Sequence, residues 1–586
     1  MVERQATANV IDVPVLIVGA GAAGLTASAL LARHGISSLL VEKRRELFIY
    51  PKARNLSFRT LEILRGLGLG NQIHAVADRV SDSVVKPALN SSEERLGVDI
   101  DAVFSGFDTL SPEPPVQYCP QSKLEPILVG FTRDHGSDVR YGTELVTFTQ
   151  DESAVTAEVR TLDSDRSQVV RARYLLAADG VHGQTRQTLG VSASGYGALP
   201  IYVVFIYFRA PWRHFVPHLA EGDAIQVKND LVDGIFIGVQ GDLSLFVTTY
   251  FPSRGETVAQ FTHDRCRGLI VAAVGEHIEV DIVDVAPWQP YEQVADQFQT
   301  QRVFLVGDAA HTMPPFKAGG ANAAIQSAHN LAWKIAAVLH KVAGPELLGT
   351  YHDERHPVGV FSARQSLTGP PLAMLHLDEK TPALRDEQEA PMFAVIAGYR
   401  YQSAAVVTTN RSPAGSEAAL VVDELRGQPG TRVPHAWVHH QGRRVSTLDL
   451  IGSQFTLFAT DHGSAWISAA RSTARALGIP INVYRVGSRG DVIDSEDQWA
   501  TSTQIESDGA LLVRPDDFVA WRTDALPAYA GEQLRAALTA ILARPLTGSR
   551  AGTAPVATLW ASHGSVERSG TNVAPRSHPY EDKKEQ

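Results

Sequence analysis

Three glycines, Gly19, Gly21 and Gly24, follow the apolar run Val15-Leu16-Ile17-Val18 and open an Ala- and Leu-rich stretch. Glycine at this spacing permits a tight turn and lets backbone amides, including those of Ala22 and Ala23, approach a pyrophosphate at the positive end of a helix dipole. The spacing predicts a helix from Leu25 to Arg33, a cap at Gly35 and a second strand over Ser38-Leu39-Leu40-Val41 that ends in Glu42, beside Lys43. An acidic residue about 20 positions on is placed to accept hydrogen bonds from a ribose diol. Strand, glycine turn, helix and acid together make a dinucleotide site; G-x-G-x-x-G alone does not. A second constellation, Gly307-Asp308-Ala309-Ala310-His311, ends an apolar run and precedes Pro314-Pro315, Gly319-Gly320 and a helix predicted over 321–342. On that helix Ile325, Ala328, Ala332, Ile335 and Leu339 recur on one face.

These constellations must be positioned by several layers. The 586 residues suit about three to four domains, and roughly 280 residues separate Gly24 from Gly307, which requires an inserted domain. Its candidate strands are the β-branched and aromatic runs from Ile201 to Phe208, Gly234 to Val239 and Leu243 to Tyr250. The segment from Val159 to Ala172, continuing through Tyr174 to Gly180, reads as a hairpin returning to the first domain. Beyond Val433 a smaller α/β pattern appears, with strands near Phe455, Ile481 and Ala510 around a helix from Trp466 to Leu477. The Gly-, Ser-, Thr- and Pro-rich stretch 546–586 is expected to be disordered.

Composition excludes some classes. With 53 basic and 64 acidic residues the net charge is −11, which argues against nucleic acid or an anionic membrane as a partner. Cys119 and Cys266 have no metal-ligand or C-x-x-C spacing, no metal site is expected, and no run approaches the ~20 apolar residues of a bilayer span. A cytoplasmic setting is the expectation.

Three motifs, Gly19-x-Gly21-x-x-Gly24, Asp179-Gly180 with Arg186 downstream, and Gly307-Asp308 with its Pro-Pro-glycine continuation, resemble the single-component flavin-dependent aromatic hydroxylases that include p-hydroxybenzoate and phenol hydroxylases. Tyr399-Arg400-Tyr401-Gln402-Ser403, Pro434-His435-Ala436-Trp437 and Ser446-Thr447-Leu448-Asp449-Leu450 resemble its aromatic polyketide branch. The resemblance implies an α/β fold: a split Rossmann-like FAD domain of the glutathione-reductase type, an inserted antiparallel-sheet substrate domain, and a C-terminal thioredoxin-like domain lacking C-x-x-C. The expected partition is 1–75, 116–190 and 291–365 for FAD, 76–115 and 191–290 for substrate, 366–425 as a helical linker and 426–545 as the C-terminal domain.

The resemblance also implies roles. Asp308 and Gln121 would touch the ribityl chain, Ala321 and Asn322 would offer amides to the flavin's pyrimidine edge, and Lys52 or Arg54 would place a cation near the flavin. Pro315, Gly319 and Gly320 would complete the cradle, while Asp179, Gly180 and Arg186 would serve the dinucleotides. FAD would be reduced by transient NADPH or NADH and react with O2 to a C4a hydroperoxide that hydroxylates a small-molecule aromatic substrate, a polycyclic phenol or quinone. Baeyer–Villiger insertion, epoxidation, a smaller phenol, or a flavin-binding interaction module without turnover are the alternatives. A homodimer is one expectation for the C-terminal domain.

Catalytic assignment stays open at this stage. The candidates are His311, Lys317, Phe316 and Pro315, with His311 more often a structural hydrogen-bonder than a base. Lys317 either points to solvent or adds positive potential beside the flavin or a phenolate. Gly183 stands where the family commonly has serine. Pocket candidates are Tyr202, Phe205, Tyr207, Phe236, Phe246, Tyr250 and Phe316, of which alternation along the strands must turn about half away.

Overall fold

The computed structural model describes residues 10–47, 53–220, 222–317, 319–369, 372, 377–408 and 420–545. Lys52 and the stretch 546–586 lie outside them. The first sheet is built on Val10–Val18, which runs parallel to Ser38–Glu42 on one side and Arg166–Ala177 on the other. Asp138–Tyr141 extends it beyond the former and Val303–Leu305 beyond the latter, both in parallel. Ser38–Glu42 and Val303–Leu305 are buried throughout, as strands covered on both faces must be, which is why they read as continuous apolar runs. The register aligns the carboxyl ends of four strands: Val18 pairs with Val41 and with Ala177, and Ala177 pairs with Leu305. Arg166–Ala177 is also one arm of a hairpin with Val155–Thr161.

Two helices lie on this sheet. Ala22–Arg33 starts at the glycine turn, and Gly35, at φ +75°, follows its C-cap His34. The long helix Gly319–Leu339 packs beside it, burying Ile325, Ala328, Leu331, Ala332 and Ile335. Burial reaches further round this helix than one apolar stripe, because the C-terminal unit covers Trp333 and Ala337.

The inserted sheet has seven strands in the order Asp281–Trp288, Tyr202–Arg209, Leu243–Tyr250, Asp233–Gln240, Ile225–Lys228, Ser83–Lys86 and Arg95–Val98. It is not wholly antiparallel, as expected from sequence: Ile225–Lys228 and Ser83–Lys86 run parallel, because the latter arrives from a distant part of the chain and not through a hairpin. Helix His263–Val274 covers one face, where Val204, Ile206, Phe208, Phe236 and Phe246 meet Cys266, Ile270 and Ala273. Both cysteines are buried and free, and burial pushes their thiols up.

Among the described residues of 366–425 the chain forms only short elements, the 3-10 turns Leu377–Glu379 and Pro382–Arg385 and the helix Met392–Ile396. The C-terminal unit centres on Phe455–Thr460, parallel to Ile481–Gly487 and antiparallel to Ala510–Val513, which hairpins to Val519–Thr523. Helices Ser464–Leu477 and Ala530–Ile541 pack over it, and their core runs on into Trp333, whose ring meets Phe455 edge-on at 5.8 Å. No described helix is long and apolar enough to cross a membrane.

Candidate functional site

The aligned strand ends carry the motifs. Gly19 follows Val18, Glu42 ends its strand, Asp179-Gly180 lies two residues past Ala177, and Gly307-Asp308 lies two past Leu305. Open α/β sheets bind ligands at that edge. Gly19 adopts φ +105°, and a Cβ there would overlap the carbonyl of Ala178; one at Gly24 would overlap the carbonyl of Gly19. A Cβ at Gly307, φ +65°, would lie 2.7 Å from the Cβ of Ala23 and 3.4 Å from that of Ala324. The two motifs, distant in sequence, therefore converge on the starts of two neighbouring helices.

Glu42 is buried and accepts a hydrogen bond from Ala20 N at 2.7 Å. Arg44 N and Nε each donate to it at 2.9 Å. Burial alone would raise its pKa, and the bonds from Arg44 and Ala20 outweigh that and hold it below the ordinary value. Arg44 was missed by sequence reasoning, since a cation after an acid carries no signal without register. Lys43 is exposed. Gln121 Nε2 lies 3.8 Å from where a Cβ would stand on Gly21, and its amide donates to Glu125. Beside them the buried Tyr141 hydroxyl has no hydrogen-bond partner and is pushed up to about 12 by burial and then by Glu125.

Asp179 is committed locally. Its Oδ2 accepts from Thr185 N at 3.0 Å and Thr185 Oγ1 at 2.8 Å, capping the short helix Gln184–Thr188, while Oδ1 is buried without a partner. A Cβ at Gly183 would overlap this carboxylate, so the family's serine does not fit here. Gly180 takes φ +84°. Arg186 donates to Val191 O at 3.1 Å and shares a small recess with Val181, Thr312 and the exposed Asp308.

At the long helix, Ala321 is half-buried and the Asn322 side chain does more than sequence implied. Its Oδ1 accepts from Ser57 N at 3.0 Å, Ser57 Oγ at 3.2 Å and Thr60 Oγ1 at 2.6 Å, and its Nδ2 donates to Asn55 O at 3.1 Å. Asn322 thus fastens the helix start to the chain just past Arg54. Gly319 and Gly320 pack by Met313, and a Cβ on Gly319 would lie 2.8 Å from its sulfur. Pro315 and Phe316 are exposed, Phe316 at 38%.

Lys317 does not point to solvent. Its side chain is only 10% exposed, with Nζ 2.8 Å from Glu389 and 3.1 Å from Thr368 Oγ1. His311 is fully buried, its Nε2 3.1 Å from Ser327 Oγ, and burial followed by the neighbouring Arg355 lowers its pKa to about 3. A permanently neutral imidazole with no solvent path is a structural group, so His311 is withdrawn as a base.

The inserted sheet divides the pocket candidates. Phe236 and Phe246 lie at 0% exposure beneath helix His263–Val274, and Tyr250 packs at that cluster's edge, 5.5 Å from Tyr202. Strand alternation puts all four on the helix side, which removes them as pocket candidates. Phe205 and Tyr207 share the opposite face with Ile237, Val239 and Leu245. That face meets the nucleotide domain: Tyr118, from Val116–Tyr118, donates its hydroxyl to Gly238 O at 2.7 Å, and the half-buried Arg54 sits near Tyr118 and Tyr207, its pKa lowered by desolvation. Among the described residues no cluster could hold a metal ion.

The residues fit FAD on these observations. Two glycine cradles exclude any Cβ, polar atoms of Tyr141 and Asp179 are buried and orphaned at the same edge, and an acid stands where a ribose diol would need one. An α/β flavin fold with a second sheet inserted over its nucleotide edge is the class this arrangement defines.

Comparison with known proteins agrees. Residues 12–366 match the FAD binding domain family and residues 426–545 the aromatic-ring hydroxylase C-terminal family. The chain is 37% identical to tetracenomycin A2 monooxygenase-dioxygenase of Streptomyces glaucescens over 93% of its length and 99% of that protein. It is equally 37% identical to 4-methyl-5-nitrocatechol 5-monooxygenase of a Burkholderia species, over 91% of the chain and 98% of the relative. The crystal structure of aklavinone-11 hydroxylase with FAD and aklavinone superposes with a TM-score of 0.80 at 33% identity, covering 91% of this chain and 99% of that one. The chain belongs to the family of FAD-binding aromatic-ring hydroxylases, and it is a flavin-dependent aromatic monooxygenase.

Proposed function

We propose that the protein is an NAD(P)H-consuming hydroxylase of a polycyclic phenol or quinone of the aromatic polyketide type. The observation that carries this reading is the convergence of Gly307 on Ala23 at the carboxyl edge of the sheet, with the Phe205–Tyr207 face of the inserted domain joined to the nucleotide domain through Tyr118 and Arg54. Bound FAD would supply the two-electron chemistry with NAD(P)H and the activation of O2. Gly19 to Gly24 would hold its pyrophosphate with backbone amides, Glu42 and Arg44 its adenosine end, Gln121 and Asp308 its linking chain, and the amides of Ala321 and Asn322 its pyrimidine edge. Arg186, at the recess beside Asp308, is the handle for the nicotinamide dinucleotide.

The substrate ring would lie against Phe205 and Tyr207, where Phe205 stacks on Trp288 at 5.6 Å and adds apolar surface to the face. Arg54, a cation beside Tyr207, favours a phenolate over a phenol there; with His311 excluded, the proton leaves to solvent or to a residue outside this cluster. We assign residues 1–75, 116–190 and 291–365 to the FAD domain and 76–115 with 191–290 to the substrate domain. The unit 426–545 we assign as thioredoxin-like, on its parallel strand pair, central antiparallel hairpin and two covering helices. It contains no cysteine, so it acts by packing and, in a homodimer, by subunit contact.

Substrate-stimulated NADPH oxidation with one atom incorporated from ¹⁸O2 into an aromatic hydroxyl is the expected result. Ring-inserted oxygen would move the assignment to Baeyer–Villiger chemistry, and FAD binding without NAD(P)H consumption would reduce the chain to a binding module. A smaller phenol is a second reading, favoured by the equal identity to the nitrocatechol monooxygenase. Turnover of monocyclic phenols in preference to fused-ring ones decides for it.

A further inference from the structure

Helix Thr350–Gln365 carries Arg355, whose side chain is fully buried. Its guanidinium donates from Nε to Ser327 Oγ at 3.1 Å, from Nη1 to the hydroxyls of Tyr399 at 3.3 Å and Tyr401 at 3.1 Å, and from Nη2 to Ala323 O at 3.2 Å. Among the described residues no carboxylate forms an ion pair with it. The adjacent Glu354 is committed elsewhere, to Arg514 and Lys334. Among the described residues the other fully buried arginines are paired: Arg59 and Arg432 share Glu62, and Arg514 holds Glu354 and Asp516.

Its neighbours form one chain. Ser327 also bonds His311 Nε2 at 3.1 Å, and the Tyr399 hydroxyl donates onward to Gln326 Oε1 at 2.5 Å. Arg355 therefore grips the second and third turns of the flavin helix at Ala323 and Ser327, and through Ser327 reaches the residue that ends the Gly307-Asp308 motif. A buried cation carries a large desolvation penalty unless its partners offset it. Here only neutral hydroxyls and a carbonyl do so, which leaves its field directed along a helix whose N-terminus already carries partial positive charge.

We propose that Arg355 is a positioning residue for the flavin: its unpaired charge beside the second and third turns of helix Gly319–Leu339 adds to the helix dipole and favours the anionic reduced cofactor over the oxidised one. This rests on the reading that Ala321 and Asn322 face the pyrimidine edge. A merely structural arginine would change folding and FAD affinity equally for both redox forms. An electrostatic one separates them.

The test measures the midpoint potential of bound FAD by spectroelectrochemistry in holoprotein. In Arg355→Met the ratio of reduced to oxidised FAD dissociation constants is expected to rise about tenfold, as for one charge acting across one to two helical turns in protein. The potential moves negative accordingly. Arg355→Lys restores most of it. Should Arg355→Met fail to fold, Tyr401→Phe serves instead, because removing a hydroxyl that screens the charge moves the potential positive. An unchanged potential in a folded Arg355→Met, or a negative or absent shift in Tyr401→Phe, overturns the proposal. Ala321→Glu is the control for the underlying reading: if it leaves the potential unchanged the helix does not face the flavin, whereas a shift in Ala321→Glu with none in the Arg355 variant sinks Arg355 alone.

Discussion

Acidification from about pH 6.5 to 5.5 should destabilise this protein before its ordinary carboxylates begin to titrate. His34, His311 and His329 are buried, each with its pKa lowered from 6.5 to about 3. Desolvation is the main cause in all three, reinforced by Arg33 at His34, Arg355 at His311 and Arg59 at His329. Because the folded pKa lies below the unfolded one, the unfolded chain binds more protons in this window. The stability is complete well above pH 6.5 and is lost as pH falls towards about 3. Between pH 6.5 and 5.5 the loss is roughly 1 kcal/mol per imidazole, about 3 kcal/mol for three, and His435, lowered to about 4 chiefly by burial, adds a fourth share. The raised carboxyls of Asp517 and Glu292 act in the opposite sense and blunt the slope. Glu42 and Glu62, held below the ordinary value, contribute their loss only at lower pH. Urea melts followed by tryptophan fluorescence at the two pH values read the difference, and His311→Asn should remove about a quarter of the histidine slope. Stability that holds level or rises between pH 6.5 and 5.5 would refute the reasoning.

Gly24→Ala forces a Cβ into the Gly19 carbonyl, a backbone atom that cannot move aside; on the order of 3 kcal/mol of FAD affinity is expected to vanish, read by flavin fluorescence titration. Glu354→Gln leaves Lys334 and Arg514 without their shared counter-charge, and a loss of about 3–5 kcal/mol in thermal or urea unfolding should follow. Asn322→Ala orphans the Ser57 amide and two hydroxyls, costing about 1–3 kcal/mol, with weaker FAD binding as the accompanying sign. Lys317→Ala should leave the flavin potential unchanged, because Glu389 already neutralises that charge; a clear shift would restore Lys317 as a flavin-facing cation.

Much of this was legible in the sequence because it rests on backbone conformation. Gly19, Gly24 and Gly307 are written as glycine since nothing else fits, and residues bracketing them alternate or repeat with the period of the element they form. The pocket face was not legible. Phe205 and Phe236 look alike in sequence, and only pairing register and the placement of helix His263–Val274 separate that face from core. The destiny of charged side chains was equally hidden. Lys317 obeys the rule for long cations until Glu389 and Thr368, more than fifty positions away in the chain, supply a reason to fold inward. Arg44, Arg59, Arg355, Arg432 and Arg514 carry no local signal, apart from the i, i+3 spacing of Arg59 and Glu62.

The long helix Gly319–Leu339 explains why an apparently inert C-terminal unit is joined through buried charge instead of a plain apolar seam. Its first turn is pinned by Asn322 and its next two by Arg355, and its middle presents Asn330 and Lys334 to Glu354, Arg514 and Asp516. Two turns upstream of Lys334, Gln326 receives the Tyr399 hydroxyl and donates to Ile396 O. A second buried cluster, Arg59 and Arg432 on Glu62 with Asp517 on Arg59, ties the same unit to the helix that begins at Phe58, just past the Asn55–Ser57 strand that Asn322 holds. Apolar surfaces tolerate small slides, whereas a buried ion pair displaced by an ångström loses its partner and keeps its desolvation penalty. Docking by such pairs fixes the long helix in rotation as well as in distance, and a cofactor contacted, as proposed above, through two backbone amides would need that rotation held.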